Sequence, residues 1–394
     1  MVPRLPSAPR SFRQSRLALA AVLGLVPFAL ALTLAACAPA PAAGGQIYQP
    51  VADAAVESDT AAPGADVAGQ AAATLLPSGD PIELANNSAY FARARDVIQT
   101  AQTKLRIVQF NTGLGDGPDL LVAAVIKAKQ RGVNVWVLLD EEVTSNKATY
   151  DTLKAAGVNV KFDGVALRTH AKIVASEQGF VIGSTNWSST SMTKNNETNV
   201  LVRDGAAVTQ LHSWLDKLWA KPTVQVAMPT GKSTVAKLYA DGGYASVAGP
   251  AIDAAKTRIL LCTYGMNIDP GSTTSSVTLL ADKLGKAVKR GVKIRVLLDQ
   301  SGDWAEMGND INAASGEYLK KLGVTVYTDP VDKITHAKFL VVDDAVVLGS
   351  NNWGYGGFES YHEVGLKTSE TKVVAGLVEY FEKIWTASSP LKSP

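Results

Sequence analysis

One passage of this chain is written twice, and that duplication limits the fold more than any other feature. Ala101-Gln102-Thr103-Lys104-Leu105-Arg106-Ile107 is answered 154 residues later by Ala255-Lys256-Thr257-Arg258-Ile259-Leu260-Leu261. Arg131-Gly132-Val133, leading to Val137-Leu138-Leu139-Asp140, matches Arg290-Gly291-Val292, leading to Val296-Leu297-Leu298-Asp299, at an offset of 159. From Leu153 and Leu319 onward the offset is 166, and it still holds at Trp219 and Trp385, which close the two halves. The extra residues of the second copy fall where loops absorb them. A unit of about 150 residues is too long for a solenoid repeat. It is a duplicated domain, and a site shared between the halves is the natural consequence. Each half reads helix, strand, helix, strand, helix, strand, then a strand pair and a closing helix. That alternation predicts an α/β fold with a largely parallel sheet and helices on both faces. Gly132, Gly157, Gly291 and Gly323 stand where helices should stop. The lobes are expected over 81–222 and 245–394, with 223–244 as connector.

The strand pair carries the chemistry. In the first half, His170-Ala171-Lys172 opens a strand that returns through Phe180 to Gly183-Ser184-Thr185-Asn186. In the second, His336-Ala337-Lys338 opens one that returns through Ala345 to Gly349-Ser350-Asn351-Asn352. Each is expected to be a hairpin. Alternation puts His and Lys of each pair on one face. The returning strand brings the Ser and Asn back beside them. A glutamate follows each Asn by 11 residues, Glu197 and Glu363. Lysine and amide donors around one spot suit an anionic phosphoryl group, whose transition state is handled by charge and positioning. Two histidines suit a two-step displacement, one attacking and one protonating the leaving oxygen. A carboxylate on the far ring nitrogen would fix the tautomer and stabilise an imidazolium, and Glu197 and Glu363 are the candidates. A lone His-x-Lys is ordinarily a surface pair; two complete copies at matched spacing make a site.

The pattern HxKxxxxD followed by GSxN, present twice, resembles the phospholipase D superfamily of phosphodiesterases and transphosphatidylases, over nearly all of 81–394. The resemblance implies a duplicated phospholipase D-like fold, two similar α/β/α sandwich lobes with one active site at their interface. It implies no metal and no other cofactor. It makes His170 with Lys172 and His336 with Lys338 the active pairs, His170 the nucleophile and His336 the acid and later base. Ser184, Asn186, Ser350 and Asn352 become the phosphate-binding residues. The family's motif acid is Asp343 in the second half but Glu177 in the first. That position is structural in the family, so activity is expected to survive. The function so implied is release or transfer of a phospholipid head group through a phosphohistidine. Cleavage of DNA is the alternative within the superfamily. A non-catalytic phosphate-binding protein is a third reading, against which both complete His/Lys pairs argue.

The N-terminus reads as an address. Residues 1–36 hold four arginines and no acid, and Leu17 to Leu34 is an apolar run. Leu34-Ala35-Ala36-Cys37 then resembles the bacterial lipobox, which implies a removed signal peptide over 1–36 and a lipid on Cys37. Residues 37–80 are Ala/Pro-rich, with five acids and no base, and are expected to be a disordered tether. An exported, membrane-anchored lipoprotein, monomeric, on the periplasmic or cell-surface side, is the expectation. The chain's net charge of +2 leaves +3 on 81–394. So mild a charge is enough to hold one phosphodiester and thin for tracking a duplex. Two cysteines build no disulfide framework, and the absence of a CxxC motif, with four histidines in all, argues against zinc.

Other residues carry plainer expectations. His212 reads as structural, Cys262 as an inert core thiol, and Trp187 and Trp353 as core. Asp140 and Asp299 end strands and read as helix caps. His362 beside Glu363 is left open between substrate contact and packing.

Overall fold

The apolar run that opens each repeat becomes a central strand, because valine, leucine and isoleucine suit a pleated surface buried on both sides. The computed structural model describes Leu76, residues 79–301 and residues 311–392. The segment expected to be a signal peptide, Cys37 and nearly all of the expected tether lie outside these residues. The first half runs β1 (Ile82–Leu84), α1 (Ala89–Thr100), β2 (Lys104–Gln109), α2 (Asp116–Gln130), β3 (Asn134–Leu139), α3 (Asn146–Ala155), β4 (Asn159–Phe162), β5 (Ile173–Ser176), β6 (Phe180–Gly183), α4 (Ser189–Thr193), β7 (Asn199–Val202) and α5 (Gly205–Ala220). The second runs β8 (Lys237–Ala240), α6 (Tyr244–Ala254), β9 (Arg258–Thr263), α7 (Ser276–Lys289), β10 (Lys293–Leu298), α8 (Ile311–Lys321), β11 (Thr325–Thr328), β12 (Phe339–Val342), β13 (Ala345–Gly349), β14 (Val364–Thr368), α9 (Thr371–Ala387) and β15 (Ser389–Pro390).

The strands form two sheets, in the orders β1-β7-β6-β5-β2-β3-β4 and β15-β11-β10-β9-β12-β13-β14-β8. The expected largely parallel sheet is corrected here. β2, β3 and β4 are parallel, as are β9, β10 and β11, but every other pairing in both sheets is antiparallel. Parallel neighbours need a helical crossover. α2 and α3 supply two in the first half, whereas β4 reaches β5 with no helix between, so β5 runs back along β2. Further strands also escaped the sequence reading. β7 and β14 add a strand after each GSxN segment, and β8, in the stretch read as connector, is the second sheet's counterpart of β1.

This topology gives each sheet a functional end. Parallel β2, β3 and β4 all finish there. Ile173 pairs with both Val108 and Ile182, so β5 starts and β6 finishes at the same end. The second half repeats this with Phe339, Cys262 and Leu348. One buried core joins the halves: Trp136, Ile173 and Phe180 of the first sheet, Cys262, Phe339 and Leu348 of the second, Trp214 of α5 and Phe381 of α9. Each sheet's other face packs its own helices, α1 and α2 or α6 and α7. Trp187 and Trp353 are buried core, their indole N–H groups donating to Tyr90 Oη (2.9 Å) and Tyr244 Oη (3.0 Å).

Candidate active site

Each His-x-Lys segment leads into the strand beside the central one, so both histidines arrive at the functional end of their sheets. There the halves meet backbone to backbone. His170 and Ala171 N–H both donate to the His362 carbonyl (3.0 and 2.8 Å), and Asn196 N–H donates to the Ile334 carbonyl (2.9 Å). These bonds place the glutamate of each half against the histidine of the other. His170 Nδ1 lies 2.9 Å from Glu363 Oε1, and His336 Nδ1 lies 2.9 Å from Glu197 Oε2. Neither half holds a complete site. Both carboxylates are fully buried, while His170 and His336 retain 6% and 8% exposure.

The GSxN glycines make this possible. A Cβ on Gly183 would sit 2.2 Å from the Thr198 carbonyl oxygen, and one on Gly349 2.4 Å from that of Val364. With hydrogen there instead, the neighbouring strand approaches closely enough for Ser184 Oγ to donate to Glu197 and Ser350 Oγ to Glu363. The serines thus hold the glutamates. Asn186 and Asn352 each keep a buried Oδ1 with no protein partner.

Lys172 and Lys338 are buried and donate to the carbonyls of His170 and His336. Their Nζ atoms lie 4.9 Å from the Phe110 ring and 5.0 Å from the Tyr264 ring. The same rings meet His170 and His336 edge-on, both with centroids 4.8 Å apart. The sequence reading missed Phe110 and Tyr264. The signal was present, since each is the first residue past a central strand and they are related by the offset of 154.

Burial sets the electrostatics. It pushes Lys172 down to about 7 and Lys338 down to about 8, against the raising influence of Glu363 and Glu197. The two His–Glu pairs differ. Burial, with the lysine charges next, drives His170 well below the usual imidazole value, and burial lifts Glu363 to about 7. Burial also lowers His336, but Glu197 opposes it. Burial would raise Glu197, yet the charge and hydrogen bond of His336 hold it below the usual carboxylate range. The His170–Glu363 pair is thus biased toward neutrality, whereas Glu197 stays ionised behind a His336 whose own proton affinity burial has lowered.

Among the described residues, Asp140 and Asp299 hold the histidine segments rather than cap a helix, which corrects the sequence reading. Both are buried, and they accept the N–H groups of Thr169 (2.8 Å) and Thr335 (2.7 Å), the residues before the two histidines. The geometry also resolves His362. Its Nδ1 faces Asp241 Oδ2 (3.1 Å) and its Nε2 the Pro222 carbonyl (2.9 Å). Both neighbours are acceptors, and burial notwithstanding, the Asp241 carboxylate raises its affinity for a proton. It is a buried tie between the connector and the strand of Glu363. Glu177 and Asp343 lie at the opposite end of the sheets. Glu177 accepts Gln102 N–H (2.8 Å) and Lys104 N–H (3.1 Å), and Asp343 accepts Lys256 N–H (2.8 Å) and Arg258 N–H (3.0 Å). The longer acid does the same task as the shorter. His212 is buried, its Nε2 2.8 Å from the Ser176 carbonyl, and the Cys262 thiol is raised by burial. Among the described residues no three His, Cys, Asp or Glu side chains group so as to hold a metal, and no helix is long and apolar enough to cross a membrane.

Residues 95–219 and 250–385 match the family described as "Cardiolipin synthase, PLD-like domain". Mitochondrial cardiolipin hydrolase of Xenopus laevis is 34% identical over 147 residues, 36% of this chain and 66% of that protein. The Homo sapiens protein of the same name is 28% identical over 170 residues, 42% of this chain and 56% of that one. Phospholipase D of Rickettsia bellii is 30% identical over 125 residues, 31% of this chain and 60% of that one. The chain thus spans 56 to 66% of the length of these relatives. In fold it is similar to phosphatidylserine synthase of Haemophilus influenzae, with a TM-score of 0.64 and 11% identity, covering 79% of this chain and 88% of that one.

Proposed function

Because this chain belongs to the phospholipase D-like domain family, we propose that it is a metal-independent phosphodiesterase that hydrolyses or transfers the head group of phospholipids. The observation that carries the reading is the exchanged pairing, in which each histidine is backed by the other half's glutamate beside a buried lysine. His170, biased toward the neutral form, attacks phosphorus through Nε2 while its Nδ1–H stays on Glu363. His336, with an ionised Glu197 behind it, gives a proton from Nε2 to the leaving alcohol oxygen. Groups whose surroundings push their proton affinities apart divide acid and base roles in this way. The resulting phosphohistidine is opened by water or an alcohol, from which His336 takes the proton back. Lys172 and Lys338 neutralise the phosphoryl oxygens, and the side-chain N–H groups of Asn186 and Asn352 donate to them. Phospholipid substrates named for several relatives, and the lipid expected on Cys37, support a lipid over DNA.

The test is product analysis on mixed phospholipids and on plasmid DNA, at near-physiological salt and in excess chelator. We expect head-group release, with transfer when a primary alcohol is supplied, at rates well above DNA nicking. Efficient DNA cleavage with every common phospholipid intact would replace this reading with a nuclease. Abolition by chelator with rescue by one divalent ion would remove the metal-independent mechanism.

A further inference from the structure

Large apolar side chains left in water are ordinary when scattered singly, and informative when they gather at one place. Seven stand exposed among the described residues, and most of them lie in the loops and helix starts that follow strand ends at the functional end of the sheets. Val165 (73% exposed) and Val331 (70%) occupy the loops that follow β4 and β11. They are related by the offset of 166, and each lies five residues before its half's histidine. Leu120 and Leu279, at an offset of 159, stand on the opening turns of α2 and α7, which start at that end. Leu114 lies in the loop leaving β2, and Tyr355 in the segment after the second GSxN motif. Val224 lies just past α5, which ends there too. The opposite end carries the hairpin turns of Glu177 and Asp343-Asp344 and helix C-termini rich in lysine and arginine.

We infer that the end of the molecule bearing His170 and His336 is also a lipid-docking face, with Val165 and Val331 flanking the site and Leu114 and Tyr355 widening the contact. The inference rests on the phospholipid reading above and extends it to residues outside the chemistry. The occupant is a bilayer surface, because Val165 and Val331 stand exposed in the loops that lead into the two histidines. The phosphodiester of a lipid lies at the polar boundary of the membrane. A site reaching it without extracting the lipid must bring its own rim into that boundary, and exposed apolar side chains with the exposed Lys194 are suited to it. The apolar positions come from both halves and are separated by polar residues.

The full chain tests this in two ways. A polarity-sensitive dye on Val165→Cys or Val331→Cys should shift to the blue when vesicles of phosphatidylcholine and phosphatidylglycerol are added. The same dye on Asp344→Cys, exposed at the opposite end, should not. Separately, Val165→Ser/Val331→Ser/Tyr355→Ser should release head group from vesicles at least tenfold more slowly, while cleaving soluble bis(p-nitrophenyl) phosphate within twofold of the parent. No shift at 165 and 331, an equal shift at 344, or an unchanged rate on vesicles would overturn the docking face. A parent chain that docks by fluorescence yet releases no head group would instead overturn the phospholipid reading and leave the docking face standing.

Discussion

Glu197 and Glu363 occupy equivalent places in the repeat, yet their surroundings make them unequal, and that difference can be measured. Glu197 is held ionised by His336, whereas burial lifts Glu363 to about 7. Glu197→Gln removes the charge that lets His336 carry its proton, so kcat should fall by about 100-fold or more. Glu363→Gln keeps an oxygen to accept from His170 Nδ1, so its loss should be only about tenfold. Equal losses in the two variants would contradict the division of roles. The same groups set the pH profile of kcat/KM. His170 must be neutral and is held below 6.5, so the acid limb should lie below that value. His336, the acid, is also lowered below 6.5, so the decline begins there, and Lys172 near 7 and Lys338 near 8 must be protonated too, so activity should go on falling as pH rises through 7 to 8. Bound phosphate favours the charged lysines, so the alkaline limb of kcat should lie higher than that of kcat/KM. An unchanged kcat/KM from pH 7 to 9 would remove the lysines from that role.

At the level of elements, Asp140 and Asp299 connect the central sheet to the segments that deliver the histidines. Asp299→Ala would leave the buried N–H groups of Thr335 and Ser301 without their acceptor. The expected cost is about 1–3 kcal/mol, read as a lower midpoint in urea with an unchanged slope. A midpoint equal to the parent's would deny the strut role. These aspartates also mark where the sequence stopped being legible. The offsets displayed the duplication, the hairpins and the His, Lys, Ser and Asn positions, because each is a local pattern with a fixed period. A carboxylate at a strand end looks the same whether it caps the next helix or holds a strand arriving about 30 residues later. Sheet direction was misread for a related reason, since alternation of helix and strand says nothing about a strand that crosses over without a helix. The exchange of glutamates was invisible too, because spacing within one half cannot reveal that the ring it serves belongs to the other.

The whole molecule follows from that exchange. Duplication alone would give two half-sites; backbone bonds from His170 to His362 and from Asn196 to Ile334, with a core common to both sheets, make them one. The chain's start adds a proposal of its own, that a lipid on Cys37 holds this site at a membrane. Palmitate-analogue labelling should mark the wild-type chain and not Cys37→Ser; labelling of both, or of neither, would remove Cys37 as the anchor. The central claim is that one site built from both halves works through a covalent intermediate on His170. Two successive displacements at phosphorus, each with inversion, leave its configuration unchanged. The most direct measurement is therefore the stereochemical course with a substrate chiral at phosphorus, such as a phosphorothioate lipid analogue transferred to an alcohol. We expect net retention, and a phospho adduct on His170 in enzyme quenched by denaturant at alkaline pH, where a phosphohistidine persists; net inversion would mean direct attack by the acceptor and would contradict the account.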